Sequence, residues 1–241
     1  MKKYHYLLTL ILFLSLNTSV GLASEAIAFV VKSQNMPGYP EGHKMPANTV
    51  IKTTGDQRLA LKTDAGDTVI IGENSNFKLV KPSLFSHVFG KIYYYIRSRS
   101  TGRLKVRSHV ATLGVRGTKF IISSSDKDVG QVALAEGLLD IESNDDQPFA
   151  ITSKRELTEF ERYRLESLRE MQGINDEFER YKKEIEQEFI EYKKSFELTE
   201  NTTLSFSGKK VEKMPLSEKQ KEEFSSFEDF IGQVENQKAE P

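Results

Sequence analysis

The sequence has 241 residues, with 34 basic and 35 acidic side chains and a net charge of −1, so no global field draws it to nucleic acid. It contains no cysteine, which excludes disulfides, thiolate metal sites and a cysteine nucleophile. Its length admits one domain with appendages or two small domains.

The chain opens with Lys2 and Lys3, then an apolar run from Leu7 to Leu16 broken only by Thr9 and Ser15, then Gly21 and Ala23. A positive start, an apolar stretch and small residues at −3 and −1 are the order of a secretory signal peptide, with cleavage expected after Ala23. As a helix the apolar run covers about 15 Å, against roughly 30 Å of hydrocarbon, too short to span a membrane. The expected mature chain starts at Ser24, is periplasmic or secreted, and keeps no integral span.

Residues 24–150 read as a β-domain. "TVIKTT", "RLALKT", "DTVIIG", "FKLV", "KIYYYIRS", "RLKVRS", "KFIISSS", "QVALAEG" and "LLDIES" are short, apolar or alternating, and separated by turn signals such as Asp64-Ala65-Gly66-Asp67. Many short strands at even spacing predict a sandwich, a roll or a short β-solenoid. "MPGYPEGHKMP" (36–46) predicts a loop or an edge crossing.

Within "IRSRSTGRLKVR", Arg97, Arg99, Arg103, Lys105 and Arg107 recur at alternate positions around Ser100-Thr101-Gly102. In a hairpin they would share one face. Three readings stay open: a solvated edge protected by charge, a face for the chain's own acidic 154–200 segment, or a surface for an external anionic partner. Just before it, Tyr93 and Tyr95 share one strand face and Tyr94 takes the other, so Tyr93 and Tyr95 join the candidate surface.

Then comes Gly114-Val115-Arg116-Gly117-Thr118, running into Lys119-Phe120-Ile121-Ile122. Glycines before a β-branched run predict a bulged corner where φ is positive or backbones approach closely. At such a corner Arg116 either holds loop carbonyls or a carboxylate, or faces a ligand.

From Thr152 the apolar period lengthens. Leu157, Phe160, Leu168, Met171, Ile174, Phe178, Tyr181, Ile185, Phe189, Tyr192 and Phe196 follow steps mostly of three and four, which predicts a long amphipathic helical region over 151–200. That region either docks on another surface or forms a coiled coil and a homo-oligomer. Residues 201–241 read as a polar linker followed by a short helix with Phe224, Phe227, Ile231 and Val234 on one face.

"VATLGVRGTKFIIS" resembles the signature of the FecR domain family through Val115, Arg116, Gly117 and Thr118; Leu113 stands where the family usually has proline. Asp64, Gly66, Asn74 and Ser75 resemble its upstream turns, and Gly90 and Gly137 its later ones, so the likeness covers about 45–142. The resemblance implies a β-rich extracytoplasmic domain that does no chemistry. In the founding group that domain sits behind a membrane helix and relays occupancy of an outer-membrane iron–siderophore receptor to a cytoplasmic sigma factor. Here a signal peptide stands where that helix is expected.

No catalytic or cofactor fingerprint appears, and His43, His87 and His109 are isolated in sequence. The expectation is therefore a non-enzymatic envelope adaptor, without cofactor or metal. It would bind an envelope protein or an anionic envelope polymer, in sensing or signalling. The alternative is a structural or assembly protein of the envelope that acts through its helical region.

Overall fold

The computed structural model describes residues 25–98, 103–125, 128–153, 159–170, 180 and 190–237. Fifteen strands form one continuous sheet: β1 (Ala26–Gln34), β2 (Lys44–Pro46), β3 (Thr49–Lys52), β4 (Arg58–Thr63), β5 (Thr68–Ile71), β6 (Asn76–Lys81), β7 (Leu84–Ile96), β8 (Leu104–Arg107), β9 (Ala111–Ser124), β10 (Val129–Ser143), β11 (Phe149–Ser153), β12 (Ile190–Lys193), β13 (Ser195–Thr199), β14 (Thr202–Ser207) and β15 (Lys210–Pro215). Among the described residues two helices accompany them, α1 (Glu159–Glu170) and α2 (Glu218–Gln237).

The three longest strands organise the fold. Each changes neighbours near a glycine of positive φ: Gly90 (93°) in β7, Gly117 (62°) in β9 and Gly137 (88°) in β10. The first half of β7 pairs with β6 and β8, its second half with β5 and β9. The first half of β9 pairs with β8, its second with β7. β10 passes from β14 to β13. Strands that bend in this way fold a sheet back over its own core. That core includes Phe77, Phe85, Tyr94, Phe120, Phe149 and Phe206, all buried, with Tyr94 stacked on Phe120 at 4.7 Å.

The middle strands are covered on both faces. Ala60, Ile70, Tyr93, Ile121 and Ala133 point away from the main core and lie beneath Phe224, Phe227 and Phe230 of α2. This explains why "LAL", "VII" and "FII" are continuous apolar runs rather than alternating ones. The start of α2 is fixed by a capping box: Gln220 N–H donates to Ser217 Oγ (3.3 Å) and Ser217 N–H to Gln220 Oε1 (2.9 Å).

The expected long helical C-terminal region is not what forms. Strands continue to Pro215, and β14 pairs with both β10 and β15 inside the same sheet. Among the described residues of 151–200, Glu159–Glu170 form a helix, and strands β12 and β13 come after it in the chain. No coiled coil is found among the described residues. The misreading has a physical source: a step of four returns to the same side of a helix and also of a strand, so steps of four do not separate the two. "TTLSFS", expected in a polar linker, is a strand with Leu204 and Phe206 in the core. Leu157, Met171, Ile174, Phe178, Tyr181, Ile185 and Phe189 lie outside the described residues.

A candidate binding face on strands β8 to β10

Strand β8 alternates cleanly. Leu104 and Val106 are buried while Lys105 and Arg107 are exposed. It does not form the expected hairpin with the tyrosine strand. β8 lies parallel to the start of β7 (Leu84↔Lys105) and antiparallel to β9, whereas Ile92–Ile96 pair with β5 and β9. β8 therefore has neighbours on both sides, and a protected sheet edge is not its role. A strand's own alternation reports which face it buries but not which strand it joins.

The cations of β8 look across β9 to acids on β10. Because β8 and β10 both run antiparallel to β9, their residues form rows: Lys105–Gly114–Asp140 and Arg107–Thr112–Glu142. The ion pairs run diagonally across these rows. Arg103 pairs with Asp140, and Lys105 Nζ lies 3.9 Å from Glu142 Oε2. Gly114 makes this possible. A Cβ there would sit 3.3 Å from Asp140 Cβ, so its absence lets Asp140 lean over β9. At the end of the face a groove of about 580 Å³ opens, lined by Lys105, Arg107, His109, Thr112, Glu142 and Asn144, among others.

The other residues singled out in the sequence scatter. Arg97 is exposed, its N–H donates to the buried Asp67 (3.1 Å) and its side chain lies over Gly66. Arg99 lies outside the described residues. Tyr93 is 3% exposed, stacked on Phe227 at 5.8 Å, and its hydroxyl donates to Glu228 Oε1 (3.1 Å). Burial and the Glu228 charge push that phenol above its ordinary pKa. Tyr93 is thus sealed under α2 rather than offered to a partner, while Tyr95 is 38% exposed beneath Lys119 Nζ.

In the motif itself Val115 and Thr118 are buried, and Arg116 is exposed without an ion pair among the described residues. Gly117 has positive φ, inside one bent strand rather than between two. A Cβ on Gly137 would overlap the Gly117 carbonyl and come 2.8 Å from the Thr118 methyl, so the two glycines make one close crossing.

Residues 49–140, strands β3 to β10, match the family model described as FecR protein. Over these residues the chain is similar to FecR proteins. Two crystal structures described as a candidate anti-sigma factor from Parabacteroides distasonis align with TM-scores of 0.45 and 0.43, at 10% and 9% identity, over 69% of this chain. The chain spans 59% of those proteins' length. No curated protein matches the sequence. No helix among the described residues is long and apolar enough to cross a membrane.

Sequence reasoning missed two parts of this region. The acids Asp140 and Glu142 are split over "LLDIES", and only the register across Gly114 shows that they answer the cations of "RLKVR". The buried His87 was legible only as an isolated histidine. Its Nε2 lies 3.0 Å from Ser124 Oγ and its Nδ1 3.4 Å from the Tyr94 hydroxyl.

Proposed function

We propose that this protein is a non-enzymatic FecR-type adaptor of the cell envelope, exported to the periplasm, which captures a protein partner and takes part in envelope sensing. The observation that carries the reading is the FecR match over 49–140. Its strands β8 to β10 present the laddered charges and the groove beside them. A fixed face of paired charges selects a partner by complementarity, while rim charges mainly set encounter rate and register. The test combines fractionation with capture. Tagged full-length protein should appear in the periplasmic fraction without its first 23 residues. It should retain an envelope protein that Lys105→Gln/Arg107→Gln releases. Cytoplasmic retention would overturn the location, and equal capture by the double variant would move the binding face elsewhere.

A further inference from the structure

The diagonal ladder stops one rung short. Arg103 pairs with Asp140, and Lys105 lies beside Glu142. Each step is two residues on β8 and two on β10, about 6.6 Å along the strands. The next rung is Arg107 with residue 144. That residue is Asn144, which carries no charge, and its carboxamide is already engaged. Nδ2 donates to the carbonyls of Ser108 (2.8 Å) and His109 (3.1 Å), and Oδ1 accepts from Thr112 Oγ1 (2.7 Å).

The next carboxylates along the chain are also taken. Asp145 is held by Lys209 at 2.6 Å and Asp146 by Lys194 at 3.1 Å. Arg107 is left exposed, with no ion pair among the described residues, and it lines the groove with His109. An unpaired guanidinium keeps its whole planar fork of donors, a match for a carboxylate.

We propose that the third rung is completed by the carboxylate of an acidic side chain on a partner polypeptide, received in the groove at Arg107. This rests on the adaptor reading above and names the partner's chemistry. The two filled rungs are both occupied by side-chain carboxylates, so the ladder repeats at the size of that group. His109 is the only aromatic ring among the groove residues, so it offers little of the stacking surface that a sugar ring uses. A polypeptide, not an anionic polysaccharide, is therefore the favoured occupant.

The test uses the full chain and a fluorescent hexaglutamate peptide with both ends blocked, followed by anisotropy at low and at physiological salt. Arg107→Gln should weaken binding by about tenfold, the loss of one charge-assisted pair. Arg107→Lys should fall between, since it keeps the charge and loses the fork. Arg116→Gln, an exposed arginine on the neighbouring strand, should stay within about twofold of the parent. Unchanged binding in Arg107→Gln, equal losses in Arg107→Gln and Arg116→Gln, or tighter binding of polygalacturonate than of the peptide would each overturn the proposal. A chain that binds the peptide through Arg107 yet stays in the cytoplasm would sink the envelope reading and spare this one. An exported chain that captures its partner independently of Arg107 would do the reverse.

Discussion

Glycine at position 137 faces two demands at once: φ is +88° and the Gly117 carbonyl occupies the place of a Cβ. Gly208 faces only the first, with φ +59° and open space around it. A left-handed backbone costs a non-glycine residue about 1–2 kcal/mol. Gly208→Ala should therefore lower stability by about that amount, and Gly137→Ala by clearly more, measured by urea denaturation of the full chain. Equal losses would show that the strands part freely at this crossing. His87 gives a pH signature. Burial, with the nearby charge of His109, lowers its pKa from 6.5 to about 3. Below pH 6.5 the unfolded chain takes up a proton that the native state refuses until about pH 3. Stability is thus full above that range and falls as the pH drops, by about 1.4 kcal/mol per unit. Between pH 7 and 5 the parent should lose about 2 kcal/mol more than His87→Gln, read from paired denaturation curves.

Helix α2 and the tyrosine strand form one element pair. Phe227 stacks on Tyr93, Phe224 meets the same ring edge-on at 6.0 Å, and Lys91–Glu223 (2.7 Å) and Lys119–Glu228 (3.5 Å) flank the aromatic contact. The ion pairs are partly exposed and contribute little; the rings dominate. Phe227→Ala should cost about 3 kcal/mol and open the chain to protease near Ser217, whereas Glu223→Gln should leave both nearly unchanged. Protection that survives Phe227→Ala would mean that the helix is held by something other than its rings. The apolar face of this helix was legible, because Phe224, Phe227 and Ile231 repeat at helical spacing. Its place on the sheet was not. Tyr93 reads as half of an exposed pair with Tyr95 until a distant segment covers it, and a strand's period carries no record of what packs on its outer face. Gly117 was legible for a related reason, since a glycine set against β-branched residues announces a local backbone demand. Gly114 was not, because its role is to leave room for Asp140, a residue 26 positions away.

At the scale of the whole molecule the FecR match ends at residue 140, but the core does not. Leu198, Leu204, Phe206 and Val211 are each at most 1% exposed and belong to the same cluster as Phe77 and Tyr94. β10 has β9 on one side; on the other it depends on β14 for Val129–Leu134 and on β13 for Leu138–Glu142. A chain that stops at residue 153 would leave β10 as a long open edge flanked by uncovered apolar side chains, the arrangement that invites aggregation. It would also lose α2 and expose Tyr93 and Ile121. We therefore expect that the β-half suggested by the change of period near Thr152 does not fold on its own. The strands β12 to β15 are hidden from the sequence because short, half-polar strands resemble linker. We expect residues 25–153 expressed alone to be insoluble or to lack dispersed amide signals by NMR. Residues 25–237 should give a cooperative melt. A soluble 25–153 fragment with native-like dispersion would show that β13, β14 and β15 decorate a self-sufficient FecR domain rather than complete it.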